Sequence, residues 1–179
     1  MSFSPLINQL IIALKYLPGV GAKSAQRMAF HILQRNKDGG RQLAQILATA
    51  IAEVKNCKNC RTLSELEFCS LCSNPARDIS VLCIVETPAD ILAIEQTGSF
   101  RGQYFVLMGH LSPIDGIGPE QLGIDLLRAR LAAGTVREVI MATSTTIEGE
   151  TTAYYIAEIA KAYSNITVTR LALGMPLGG

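Results

Sequence analysis

Ile79-Ser80-Val81-Leu82-Cys83-Ile84-Val85-Glu86-Thr87-Pro88-Ala89-Asp90 decides the fold class of this 179-residue chain. A short apolar run rich in Ile and Val reads as a buried strand that ends at Glu86, and Pro88-Ala89-Asp90 opens a helix continuing through Ile91-Leu92-Ala93-Ile94. The rhythm then repeats. A strand is predicted over 104–108, a helix over 119–131 interrupted at Gly123, a strand over 136–142, a helix over 150–163 and a strand over 166–171. Strands alternating with helices predict an α/β unit with a mostly parallel sheet covered on both faces. Cys83 falls inside the first strand and reads as an inert apolar residue.

In such sheets, sites form beyond the carboxyl ends of the strands. Loops 86–90, 109–118 and 143–150 qualify and carry Glu86, Asp90, Asp115, Glu148 and Glu150. These acids are candidates for an oxygen-ligand Mg²⁺ patch. The competing reading is that Asp90 and Glu150 are first-turn acids complementing helix N-termini, and for Glu150 that reading is favoured.

Upstream lies Cys57-Lys58-Asn59-Cys60, then eight residues, then Cys69-Ser70-Leu71-Cys72. Each C-x-x-C places two thiolates on one side of a tight turn, and four thiolates suit one tetrahedral, closed, structural Zn²⁺. Two disulfides need an oxidising compartment, which nothing in the chain indicates. A redox C-x-x-C opens a helix after an apolar strand, whereas Val54-Lys55-Asn56 reads as a helix end.

The N-terminal third is helical and basic. Ser4 as N-cap and Pro5 at the first position predict a helix over 5–16 with Leu6, Leu10 and Leu14 on one face. Ile7, Ile11 and Ile12 give it more apolar surface than one face needs, which marks it for self-association. Leu17-Pro18-Gly19-Val20-Gly21 breaks the chain, and a second helix starts at once. Gly19 and Gly21 let a phosphate approach the backbone and the free N–H groups of the new helix. Lys23 and Arg27, four apart on one face, add charge-assisted contacts that carry no base reading. The bland alternative is an αα turn with two solvated cations. His31 reads as an ordinary helix residue. Residues 34–42, with Asp38-Gly39-Gly40, read as a connection. Residues 41–55 read as a helix whose Leu43, Ile46, Leu47, Ala50, Ile51 and Val54 pack into a core.

Composition agrees with this division. The chain is 49% hydrophobic and 17% charged, which excludes a disordered chain, and its apolar runs are too short to span a bilayer. The N-terminus has no basic region or cleavage site for export, and the clustered cysteines fit a reducing cytoplasm. Residues 1–61 carry nine Lys/Arg against Asp38 and Glu53, a net of +7, while residues 62–179 carry a net of −6. The split marks the N-terminal third for a polyanion.

Five stretches in order resemble the bacterial recombination mediator family RecR through the whole chain. They are Leu17 to Gly21 with Lys23-Ser24-Ala25-Gln26-Arg27, the paired C-x-x-C, Cys83 to Asp90, Gly109-His110-Leu111-Ser112-Pro113-Ile114-Asp115-Gly116-Ile117-Gly118-Pro119, and Ile147-Glu148-Gly149-Glu150-Thr151-Thr152-Ala153. The resemblance implies a helix-hairpin-helix DNA-binding domain over 1–54, a four-cysteine zinc finger over 55–78 and a Toprim domain over 79–179. It implies that Lys23 and Arg27 contact single- and double-stranded DNA without sequence preference. It also implies that Cys57, Cys60, Cys69 and Cys72 bind zinc, and that Glu86 and Asp90 lie on the acidic Toprim face, a weak Mg²⁺ or partner site. It further implies a cytoplasmic, nucleoid-associated, ring-forming homo-oligomer (dimer or tetramer) that works with RecO, and in some settings RecF, to help RecA load on SSB-coated single strands. Catalytic Toprim domains pair a Glu after the first strand with Asp-x-Asp after the third. Here Thr143-Ser144-Thr145 stands in the second place, and the family usually has Asn-Pro at Ser144-Thr145. A binding role without phosphodiester chemistry is therefore expected. The alternatives are a Mg-dependent nuclease or primase-like Toprim enzyme, and a scaffold whose Toprim face binds a basic partner. The family continues past the stretch matching Gly174 to Gly179 into an acidic, Walker-B-like segment, so the chain reads as C-terminally shortened.

Overall fold

The computed structural model describes residues 3–171. They divide into two compact units between Glu53 and Val54.

The first unit is three helices, α1 (Pro5–Leu14), α2 (Ala22–Arg35) and α3 (Lys37–Glu53). Pro5 sits at the start of α1 as expected, but the Ser4 side chain makes no cap and only its carbonyl accepts from the Asn8 amide. The turn into α2 is a type II turn. Pro18 fixes its second position, Gly19 takes φ +77° at the third, and the Val20 N–H donates to the Leu17 carbonyl at 3.1 Å. Small residues Ala25 and Ala29 are the buried positions of α2, which packs on α1.

Two expectations fail in α3. The expected connection over 34–42 shrinks to Asn36, and α3 runs straight through Asp38-Gly39-Gly40. A Cβ on Gly39 would lie 2.4 Å from the Asn36 side chain, and one on Gly40 would lie 2.5 Å from Ile32. The glycines are there so that Asn36 can cap the new helix, its Oδ1 accepting from the Gly39 N–H at 3.0 Å, while α3 passes close to α2. Nor does the apolar stripe of α3 form a core. Leu43, Ile46, Leu47 and Ile51 are exposed, Ile51 by 75%. Periodicity shows that a face is apolar, and three helices are too few to cover this one.

The second unit begins with a hairpin of β1 (Lys55–Asn56) and β2 (Leu63–Ser64), antiparallel, that carries the first two cysteines. Then come β3 (Asp78–Val85), α4 (Pro88–Gln96), β4 (Gly102–Val106), α5 (Ile124–Ala132), β5 (Glu138–Ala142), α6 (Ile147–Ala160) and β6 (Thr167–Arg170). The four long strands form one parallel sheet in the order β4-β3-β5-β6, as expected. α5 starts later than predicted, because Gly123 takes φ +67° as its N-cap and closes the preceding turns. α6 runs three residues earlier than predicted, from a Thr146 cap whose hydroxyl accepts from the Gly149 N–H.

Alternate residues of each strand face opposite layers. Leu82, Ile84, Phe105, Leu107, Val139 and Met141 pack under α5 and α6. Cys83, Val85, Tyr104, Val106 and Ala142 face the other way, against Ile91 of α4 and against Cys57, Cys60 and Cys69. The cysteine segment packs directly on the sheet. It belongs to the same unit as the sheet and shares the second covering layer with α4.

Candidate nucleic-acid interface and metal centre

In the first unit, Lys23 and Arg27 stand on consecutive turns of α2, both exposed. Gly21 caps α2 with φ −80° and no side chain, so the first amides of the helix carry no side-chain cap. A Cβ there would meet nothing within 4 Å. Gly19 serves the turn conformation, whereas Gly21 keeps the helix entrance open. Neither Lys23 nor Arg27 is in any ion pair of the described residues. Three other members of the basic third are engaged elsewhere. Arg41 pairs with Asp38, and Lys58 with Glu67. Arg61 is turned away from solvent into the second unit.

In the second unit the four sulfurs of Cys57, Cys60, Cys69 and Cys72 lie within 4.8 Å of one another, and the first three residues are buried. None is in a disulfide. Four thiolates around a tetrahedral ion at a ligand distance of about 2.3 Å stand about 3.8 Å apart, so little rearrangement closes the set. The cluster has the geometry to hold one metal ion with no position left open. Its local order comes from the backbone. Cys57 N–H donates to the Thr62 carbonyl at 2.7 Å, Arg61 N–H to the Cys57 carbonyl at 2.8 Å, and Cys69 N–H to Cys57 Sγ at 3.3 Å. Interaction between the neighbouring Cys60 and Cys72 thiols holds Cys72 down to about 5 and pushes Cys60 up.

Two arginines that sequence reasoning missed fasten this knuckle to the sheet. Arg61 adopts φ +67°, and its Nη1 donates to the carbonyls of Val106 and Leu107 at 3.1 Å and to that of Leu122. Its cation lies over the Phe105 ring at 5.7 Å. Arg130 of α5 donates from Nη1 to the Asn59 and Tyr104 carbonyls at 3.0 Å, and from Nη2 to Gln103 Oε1. Val106 N–H donates to the Cys60 carbonyl at 2.8 Å. β4 is an edge strand, and the knuckle covers its free side. The residue types gave no signal for this, since an arginine beside a polar turn reads as a surface cation.

The sheet reverses its order of winding between β3 and β5, and Glu86 stands there. It is only 12% exposed. Its Oε1 accepts from the Ser144 N–H at 2.8 Å, and its Oε2 lies 3.5 Å from His110 Nδ1. The other acids do not join it. Asp90 closes a capping box, accepting from the Thr87 N–H at 2.7 Å and from its hydroxyl at 3.0 Å. Asp115 accepts from Ser112 Oγ at 2.6 Å. Glu150 forms a two-pronged pair with Arg170, which holds its carboxyl below the usual carboxylate range. Among the described residues, the cysteines are the set of three or more metal-ligating side chains whose donor atoms converge. Burial pushes the Cys83 thiol up to about 12, in keeping with an inert core residue.

Residues 7–51 match the family described as RecR, helix-hairpin-helix, and residues 80–172 match the Toprim domain. The chain is 57% identical over 177 residues to Recombination protein RecR of Saccharophagus degradans (strain 2-40), covering 99% of this chain and 89% of the relative. The chain belongs to the RecR family. The helical unit is thus the RecR helix-hairpin-helix, and the parallel sheet is a Toprim domain with the cysteine knuckle built onto its edge strand. Gly174 to Gly179, at the end of the family resemblance, lie outside the described residues. Among the described residues no helix is long and apolar enough to cross a membrane.

Proposed function

We propose that this RecR-family chain is a non-enzymatic DNA-binding mediator of recombination repair. It would act in the cytoplasm at the nucleoid, with RecO and in some settings RecF, to help RecA load on SSB-coated single strands. The observation that carries this reading is the pairing of exposed, ion-pair-free Lys23 and Arg27 with the open helix entrance at Gly21. Amides, macrodipole and two cations meet at one place, which suits a phosphate and reads no base. The metal is Zn²⁺ in a structural role, supported by four convergent thiols. A clamp of several copies is supported by the exposed apolar face of α3, which a second copy would cover. Against phosphodiester chemistry stands the strand-end geometry. Glu86 is already bonded to Ser144, and Asp90 is committed to its helix cap, so two carboxylates do not meet on one Mg²⁺.

The test is RecA loading on an SSB-coated single strand with RecO present. The wild type should stimulate loading and Lys23→Ala/Arg27→Ala should not, with metal content and helicity unchanged in the variant. Equal stimulation by the variant would move the DNA site off the hairpin. DNA cleavage in Mg²⁺ that Glu86→Gln abolishes would instead establish a Toprim enzyme.

A further inference from the structure

The two cations of the hairpin are the start of a longer row. Lys23, Arg27, His31 and Arg35 follow one another at four-residue intervals along α2, and all four are exposed. Each step advances about 6 Å and turns about 40°, so the row runs roughly 18 Å and winds a third of the way round the helix. Beside it lies a groove of about 460 Å³ lined by Lys23, Gln26, Arg27, Phe30, His31, Gln34 and Arg35. No carboxylate lines that groove, and the chain has no acidic residue before Asp38, which is paired with Arg41. None of the four residues in the row is in an ion pair among the described residues. The lining is mixed in a specific way. Cations form one edge, the Gln26 and Gln34 amides offer donors and acceptors, and half-buried Phe30 offers an apolar wall.

We infer that the flank of α2 is a track for a single DNA strand that leaves the hairpin, with Arg35 and His31 as further binding residues beyond Lys23 and Arg27. The inference rests on the hairpin reading above and extends it. Lys23, Arg27 and Arg35 place three cations along the row at steps of about 6 and 12 Å, with the His31 imidazole between them as a hydrogen-bonding group, a spacing that suits several successive phosphates of one strand. A single strand, unlike a duplex, can also turn its sugars and bases toward an aromatic and amide wall. The competing role for Arg35 is to complement the C-terminal end of α2, where it stands in the last turn. That role would affect helix stability but not the salt dependence of binding.

The experiment is fluorescence anisotropy with a 20-nucleotide oligo(dT) and with a 20-base-pair duplex across a salt series. It compares the full chain with Arg35→Gln and with Lys23→Ala/Arg27→Ala, and helicity is checked for each. For Arg35→Gln on the single strand, the slope of log K against log salt should flatten by about 0.7. Affinity should fall about two- to fivefold, the range of one exposed ion pair. The duplex should respond less. An Arg35→Gln slope equal to wild type, with the double variant flattened, overturns the track and leaves the hairpin site standing. An equal or larger effect on the duplex overturns the single-strand assignment. A silent double variant overturns the hairpin reading and the track with it.

Discussion

Arg61 shows how much one side chain decides. It sits one residue after Cys60 in the left-handed region, a conformation that costs a non-glycine residue about 1 kcal/mol. The cost is offset by hydrogen bonds from its cation to Val106, Leu107 and Leu122, with Gln121 bonded to its second nitrogen at 3.2 Å. Gly123 makes room, since a Cβ there would lie 2.4 Å from Arg61 Nη1. Arg61→Gly sets these effects against each other, because it relieves the backbone and deletes the cation. Charged hydrogen bonds are worth about 1.5–3 kcal/mol each, so loss dominates and a net destabilisation of about 3 kcal/mol in urea titration is expected. A variant as stable as wild type would mean that the clamp carries no weight. Gly149 makes the same point at the other site. A Cβ there would lie 2.3 Å from the Ser144 carbonyl and 2.9 Å from Glu86 Oε1. Helix propensity favours alanine by about 1 kcal/mol, yet a clash with backbone costs about 1–3 kcal/mol. Gly149→Ala should therefore lower the unfolding midpoint and disturb the Ser144–Glu86 bond. A raised midpoint would show that the turn gives way freely.

Among the elements, the cysteine knuckle has a structural part beyond its thiols. It stands where a covering helix would stand, closes the edge of β4 and buries one face of Cys83, Val85 and Tyr104. Removing its metal should therefore weaken the sheet and not only the knuckle. With Cys72→Ser, metal content should fall from one ion per chain toward none, and the melting midpoint should drop by about 10 °C, if even about 3 kcal/mol of the metal's binding energy supports the fold. A lost ion with an unchanged midpoint would make the knuckle a passenger. α4 is held by other means, by its capping box and by the pair of Arg77 with Glu95, which Tyr104 joins. Burial pushes Glu95 up, but the Arg77 and Tyr104 hydrogen bonds outweigh it and keep the carboxyl below its usual range.

At the scale of the molecule, the apolar face of α3 asks for a partner. Leu47 is 55% exposed and Ile51 75%, with Leu43 and Ile46 beside them. An exposed apolar face of this kind is what contact between copies would bury. Light scattering at micromolar concentration should give a mass of two or more chains for the wild type, and Leu47→Glu/Ile51→Glu should reduce it with helicity retained. A monomeric wild type would count against the clamp.

The parallel α/β sheet was legible because buried strands are short apolar runs that alternate with helical segments, the first of them opened by Pro88, whereas the caps at Gly123 and Thr146 were not read. The metal cluster was legible because its ligands come in two local pairs, and so was the hairpin, because Pro18 and Gly19 fix a turn within four residues. The rest depends on contacts between residues far apart in the chain. Nothing local says that Arg61 reaches Val106 and Leu122, that Arg130 reaches Asn59, or that Glu86 meets Ser144 across the sheet. Nor does a helical period say whether α3 covers a core or awaits a partner. Local sequence determined the elements, the thiol set and the basic turn, since each is decided by neighbours along the backbone. Tertiary structure alone decided which cations stay in solvent, which acids are already engaged, and that the knuckle is a wall of the sheet, since these turn on what each side chain finds in space.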